Sequence, residues 1–486
     1  MKHRYYLPLV FVFFAVIIFH TGCKVNKPVQ MPVLRSLPET FPAKNDTTGI
    51  AALQVNQFFS DPNLVALIDS AIHHNPDLAI ALEQIEIARA QVAIRHGALL
   101  PSVNGVVTAS GDRYGDYTMN GVGNFDTNLS GNIKEEQKIN RTFTPDFFVG
   151  FRSTWEIDIW GKLRNQRKAA ASLLLATEKG RQYAVTNIVA TVASLYYELM
   201  AVKYELDVIK KNIQLQQQAL EVVRVQKEGG RATELAVKQF SAQLLNTRAI
   251  EFQTRQRKVE LENQINAIAG RFPSAIITDS SIIQQPVPEV ANIGLPSSLL
   301  LRRPDIRQAE YELEAAKANV LSARAAFLPS LTLSPYVGYN AFRGSLLFNP
   351  GSFAFGILGG ITAPVFNGNR IKSEYAIANA ENKQAVYNYQ KVILNSFSEV
   401  VTQLSRIENN EKMFALKDQE FNELNSAVST ALDLYLSGYA NYLEIITAQK
   451  GVLDAELELA VTKKEIFLAT VDLYRALGGG WETSAK

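Results

Sequence analysis

No proline interrupts the chain between Pro145 and Pro273, and none follows Pro364. Within the first of these stretches Ile188, Val192, Leu195, Leu199, Val202, Leu206, Ile209 and Ile213 step alternately by four and three residues, the seam of a heptad helix. In the second, Ile393, Phe397, Val400, Leu404 and Ile407 repeat that stepping, with a weaker continuation. Each run ends at glycine, in "KEGGRATELAV" and "YLSGYANYLEI", and a returning helix reads on from there. A helix from Lys162 to Glu228 has 67 residues and is about 100 Å long at 1.5 Å per residue. Helices of that length cannot bury themselves in a compact globule, so they must pack side by side.

The chain is also an internal duplication. A shift of 228 positions aligns Pro76-Asp77 with Pro304-Asp305, Glu86 with Glu314 and Val92 with Val320. It also aligns Leu100-Pro101-Ser102 with Leu328-Pro329-Ser330, without a gap. The turns align at an offset of 208, pairing Gly230 with Gly438, Ala232 with Ala440 and Leu235 with Leu443. In both halves a polar, alanine-rich helix stops at Leu-Pro-Ser. Proline removes a donor and pushes the preceding leucine toward extended geometry, so Pro101 and Pro329 are helix-to-strand exits. Strands are expected over about 102–110 and 147–159 in the first half, and over 330–340 and 353–363 in the second.

Along the second strand Phe147, Val149, Phe151, Trp155, Ile157 and Ile159 share a face. Phe353, Phe355, Ile357, Ile361 and Ala363 do so along the fourth. Ser102, Asn104, Thr108, Thr332 and Ser334 take the other face, a lipid-out, water-in pattern. A sheet in a membrane must close on itself. Four strands cannot do so, because the smallest single-chain outer-membrane barrels have about eight. Three copies would supply twelve.

The N-terminus has the form of a signal peptide: Lys2 and Arg4, an apolar run over 5–19, then "HTGC". Cys23, the only cysteine, stands where the lipobox of bacterial lipoproteins carries its lipidated residue, although His20 replaces the usual Leu. Lys24 lacks the acid of an inner-membrane retention signal, which favours the outer membrane. No later segment has about 18 uninterrupted apolar residues. Charges nearly cancel, 49 basic against 47 acidic, and leave nucleic-acid binding without electrostatic support. Five His and one Cys offer no metal cluster, and no catalytic triad, HExxH, phosphate loop or cofactor fingerprint is present. No catalytic residue, metal or cofactor is expected beyond a lipid on Cys23.

Several motifs coincide: "GLPSSLLLRRPDIRQAE" (294–310), "WEIDIWGKLR" (155–164), "PVFNGNR" (364–370) and "LYRALGGGW" (473–481). Together they resemble the TolC-type outer-membrane efflux proteins, and within them the NodT-type lipoprotein branch serving RND-type pumps. The resemblance implies an α+β, TolC-like fold. Long antiparallel helices form a tunnel, and four strands per protomer complete a trimeric twelve-stranded barrel in the outer membrane. It implies passive conduction by a homotrimer, anchored by lipid, with a periplasmic extension that meets an adaptor and an inner-membrane pump.

The corresponding organisation is a signal peptide over 1–22, a tether over 23–50 and a first repeat over 51–270 (long helix 162–228, return helix 233–270). A connection over 271–303 follows, which with the chain ends forms an equatorial belt. The second repeat covers 304–478 (long helix 370–437, return helix 441–477), with a tail over 479–486. Two other readings are the channel of an ABC-type protein secretion system and a periplasmic adaptor lipoprotein. The adaptor would need lipoyl-like strands flanking one hairpin, whereas two hairpins follow two strand pairs here.

The turn residues Gly229, Gly230, Arg231, Ala232, Gly438, Tyr439 and Ala440 mark the periplasmic tips, where the adaptor docks in such proteins. Glycine at 230 and 438 also serves the turn itself, by accepting positive φ. The resemblance places a gate at Tyr435, Glu444 and Thr447, although Thr447 stands where some members carry an acid, and Arg231 with Glu234 offers a different candidate pair. Glu444 and Glu234 read equally well as solvated helix charges. Trp155 to Gly161 and Phe366 are expected where strands pass into long helices, as junction packing or interface anchors.

Overall fold

A computed structural model describes residue 32 and residues 54–140, 142–278, 281–288 and 302–482. The signal peptide, Cys23, most of the tether, 289–301 and the last four residues lie outside the described residues. In chain order the elements are α1 (Val55–Phe58), α2 (Pro62–His74), α3 (Pro76–Gly97), β1 (Ser102–Asp112), α4 (Met119–Leu129) and β2 (Thr144–Ile157). Then come α5 (Lys162–Glu228), α6 (Glu234–Ile268), α7 (Pro304–Ala325), β3 (Ser330–Ala341), β4 (Phe353–Thr362), α8 (Arg370–Leu436) and α9 (Tyr442–Ala476). Two compact units emerge. Among the described residues, one takes in 88–174 and 313–385, and the other 54–87, 175–312 and 386–482.

The first unit holds the sheet. Its four strands run antiparallel in the order β1-β2-β3-β4, leaving β1 and β4 as edges. The register places Val107 beside Val149, Val149 beside Tyr339 and Tyr339 beside Phe353. Gly105, Phe151, Val337 and Phe355 form the next row. Every odd-numbered position therefore lies on one face, which carries the aromatic and branched side chains. The even face carries Ser102, Asn104, Thr108, Arg152, Thr332, Ser334 and Asn340.

Two rings, Phe148 and Tyr336, interrupt that polar face and stand edge to face with centroids 6.2 Å apart. Arg152 lies over the Phe148 ring at 4.6 Å. Glycines make room for them: a Cβ on Gly356 would meet the Tyr336 ring at 2.6 Å, and Gly150 and Gly338 both abut the tip of Phe148.

The second unit holds the main core. Val192, Leu199, Val202 and Ile209 of the α5 seam are buried, as are Val400 and Ile407 of the α8 seam. Tyr474 stacks on Phe58 at 4.0 Å and Tyr197 on Phe467 at 4.3 Å. The Tyr196 hydroxyl donates to Asp61, the N-cap of α2, at 2.7 Å. Burial pushes the Tyr197 and Tyr474 hydroxyls far above their ordinary range, so both stay neutral. One stretch of α5 is apolar enough for a membrane span, but two-thirds of it is buried and it supplies the core helix.

The duplication recurs as two similar clasps in this unit. Asn75 donates to the Ile268 carbonyl at 2.9 Å and accepts from the Asp77 and Leu78 amides at the start of α3. Arg303 donates to the Ala476 carbonyl at 2.7 Å and grips Asp305 at the start of α7. Each return helix thus has its last carbonyl tied to the first turn of a proline-initiated helix. Gly270, at φ +66, sits where a Cβ would lie 2.3 Å from the His74 carbonyl oxygen, and Gly478, at φ +87, packs on Arg302 and Arg303.

Candidate functional site

The two Leu-Pro-Ser exits are built alike, from residues of the first unit. Before the first, the α3 end tightens: Leu99 N–H bonds the His96 carbonyl and Leu100 N–H that of Gly97, each at 3.0 Å. Before the second, Phe327 and Leu328 bond Arg324 and Ala325 in the same i−3 pattern. Proline then forces the extended path, and the serine hydroxyl crosses to the next strand. Ser102 donates to Thr154 O at 3.1 Å, and Ser330 to Thr362 O at 3.4 Å.

One indole serves each exit. Trp155 Nε1 donates to Leu99 O at 2.9 Å, and Trp160 Nε1 to Pro329 O at 2.7 Å. These bonds satisfy carbonyls that neither helix nor strand can reach. They support junction packing for the tryptophans; Phe366 in the other half is exposed.

The "WEIDIWGKLR" segment turns β2 into α5. β2 stops at Ile157, so Ile159 does not extend the strand face. The reason is Asp158, whose carboxylate accepts from the Leu163 and Arg164 amides at 3.1 and 2.8 Å and so caps α5. β4 likewise ends at Thr362, which leaves Ala363 outside it. In "PVFNGNR" the tight entry to α8 uses positive φ at both Gly368 and Asn369.

The two glycine turns belong to the second unit. At the first, Gly230 has φ +72 and Arg231 N–H reaches back to Gln226 O at 2.8 Å. At the second, Gly438 has φ +80 and Tyr439 N–H reaches Leu434 O at 2.9 Å. Both are Schellman endings with glycine in the left-handed position. No atom lies within 4 Å of a Cβ built on either glycine, so backbone angle alone selects the residue there. Thr233 and Asn441 then cap the return helices, which is why these start at Glu234 and Tyr442. Gly229, Arg231 and Tyr439 are exposed, while Ala232 packs with Leu220, Val223 and Phe240, and Ala440 is half-buried.

The gate residues separate into two groups. Tyr435, half-buried, donates its hydroxyl to Gln226 Oε1 and so ties the end of α8 to the end of α5. Gln226 carries no motif, and only the folded turn shows it as the partner. Glu444 and Thr447 are exposed on α9, the Thr447 hydroxyl bonding Leu443 O. Glu234 does not pair with Arg231. It binds Lys227, and Lys238 at 3.4 Å, because the turn brings the last basic residue of α5 onto the first turn of α6. The Lys227 bond, and then Lys238, hold the Glu234 carboxyl below its ordinary range. Among the described residues no group of three or more His, Cys, Asp or Glu gathers as a metal site.

The sheet, paired hairpins and duplicated exits find their match in one family model. That model, outer membrane efflux protein, covers residues 67–271 and 295–479. The chain belongs to this family. As an outer membrane efflux protein it is 28% identical to the cation efflux system protein CusC of Escherichia coli O6:H1 over 96% of the chain and 98% of CusC. It is 31% identical to the pyoverdine export outer membrane protein OpmQ of Pseudomonas putida over 88% of each. Its fold matches the outer-membrane channel OprN with a TM-score of 0.81 at 24% identity, over 95% of this chain and all of that one.

Proposed function

We propose that this outer membrane efflux protein is the exit duct of a tripartite RND-type pump, and that three copies pool their sheets into a twelve-stranded barrel. The observation that carries this reading is the sheet itself. Most of its apolar side chains lie on one face and most of its polar ones on the other, and both edge strands are open. An open edge in lipid leaves backbone groups without partners at several kcal/mol each. Pairing β4 of one copy with β1 of the next removes both edges. Antiparallel order then continues around the ring, because β1 and β4 run in opposite directions.

The outward face would meet lipid and the inward face water. Cargo moves passively, and energy comes from an inner-membrane pump through a periplasmic adaptor that docks on the exposed glycine turns. Cys23 carries the lipid anchor. The relatives named above carry names for cargo as different as cations and pyoverdine. Cargo choice is therefore assigned to the pump.

The Tyr435–Gln226 tie holds the second hairpin against the first and acts as a latch of the closed tip. A neutral hydrogen bond is worth about 1 kcal/mol, so Tyr435→Phe should raise the open probability about fivefold in single-channel recordings. No change would remove the tie from the gate. Three copies of Glu444 would form a carboxylate ring that attracts cations. Glu444→Ala should accordingly weaken block by multivalent cations applied from the tip side. Unchanged block would assign Glu444 to ordinary solvated helix surface.

A further inference from the structure

The segment between β1 and β2 holds a helix turned the wrong way out. In α4 the residues facing the chain are small or polar. A Cβ on Gly121 would lie 2.2 Å from Gly115 O, and Asn128 exchanges two hydrogen bonds with Ile139, at 2.7 and 2.8 Å. Thr118 caps the helix by accepting from Gly121 N–H at 3.1 Å. Arg343, from the β3–β4 connection, donates to the Glu135 and Lys138 carbonyls at 3.3 and 2.9 Å and fixes the segment in place.

The opposite face of the same helix carries Met119, Val122 and Leu129, with Met119 92% and Leu129 70% exposed. Spacings of three and seven place them on one stripe. A tethered helix that gives its polar face to its own chain and its apolar face to the outside needs a cover.

We infer that the cover is the β3–β4 connection of the neighbouring copy, so that α4 is a clasp between protomers at the outer rim of the barrel. This rests on the trimeric reading above. β1 is an edge strand, and the α4 segment begins where β1 ends. The edge that must pair with it is β4 of the next copy. Ser102 starts β1 beside the first exit and Thr362, paired with Ser330, ends β4 beside the second, with 11 and 10 residues in the two strands. Their far ends therefore meet as well, with the α4 segment of one copy beside residues 342–352 of the next. There Phe348 stands edge-on to Tyr339 at 5.9 Å and is still 71% exposed. Two apolar surfaces are thus brought together across a seam that the barrel already requires.

The test uses full-length protein in its own membrane. One copy carries Leu129→Cys and a co-expressed copy carries Phe348→Cys, so that a flexible bismaleimide can join them only between chains. A second co-expressed pair, Val107→Cys with Ile357→Cys, reports the seam: both residues are exposed and sit five positions in from their exits. The clasp gives a covalent dimer on denaturing gels for both pairs and for neither single variant. Seam cross-linking without the Leu129–Phe348 product overturns the clasp and leaves the trimer standing. Loss of both products overturns the trimeric reading and the clasp with it. Dimers from Leu129→Cys alone would set helix against helix and also overturn it. As a second measurement, Met119→Asp with Leu129→Asp should lower the temperature at which the assembled protein dissociates on gels. An unchanged temperature counts against the clasp.

Discussion

Arg303→Ala should destabilise the folded chain by about 3–5 kcal/mol, the usual cost of breaking a buried ion pair from one side. Only 5% of the Arg303 side chain is exposed. Its guanidinium spans three elements, bonding Asp305 at 3.0 and 2.7 Å, Glu399 at 2.9 Å and the Ala476 carbonyl at 2.7 Å. Burial by itself would depress the pKa of this group. The bonds to Asp305 and Glu399 outweigh it, and the group is held above its ordinary value. It is therefore charged at every working pH, and the loss should be constant across the neutral range.

Truncation would strip a partner from two carboxylates and a helix-terminal carbonyl at once. Glu399 would keep Arg475, whereas Asp305 and Ala476 O would lose the contact. Arg303→Lys should recover part of the stability, because the charge survives and the planar fork does not. Asn75→Ala, in the corresponding clasp of the first repeat, should cost about 1–2 kcal/mol, since neutral cap bonds alone are lost. Denaturant titration followed by helical circular dichroism, on detergent-purified protein, measures all three. Equal losses for Arg303→Ala and Asn75→Ala would deny the buried charge its place.

The second large effect is expected at Gly150, in the middle of β2. A Cβ there would lie 2.3 Å from Val337 O and 2.5 Å from the Gly338 Cα. The reciprocal Cβ on Gly338 would lie 2.5 Å from Val149 O. These neighbours are backbone on the facing strand and cannot rotate aside, so the two strands approach this closely only because both residues lack a side chain. Gly150→Ala should cost more than the ~1–3 kcal/mol typical of an overpacked core and reduce heat-resistant assembled protein at least tenfold. Gly360→Ala is the control. It lies on the same face of the sheet, and nothing comes within 4 Å of its added Cβ. Comparable assembly of the two variants on unheated gels would contradict the close approach.

These two sites also show where the sequence stops being informative. Element ends set by local chemistry could be read directly. Pro101 and Pro329 mark the helix exits, glycine at 230 and 438 marks the turns, and heptad stepping marks the face that α5 buries. Asp158 looked like part of an alternating strand and proved to be a cap. Alternation continues through it by residue type, while its carboxylate bonds amides five and six residues ahead.

The clasps of Asn75 and Arg303 join residues 193 and 173 positions apart, and no local pattern announces them. Gln226 is an unremarkable polar residue until the turn sets it beside Tyr435, 209 positions away. By residue type, helix α4 lies in a polar stretch bearing Gly and Asn. Those residues have low helix propensity, and the helix exists because Asn128, Thr118 and Arg343 tie it down.

The trimer carries most of the functional reading, because four strands with two open edges must pool with other copies to close in a membrane. Native mass spectrometry of the detergent-purified, full-length protein counts the chains per particle directly. Three chains are expected. A particle of one, two or four chains, with the sheet folded as described, would break the link from the edges of β1 and β4 to a twelve-stranded barrel.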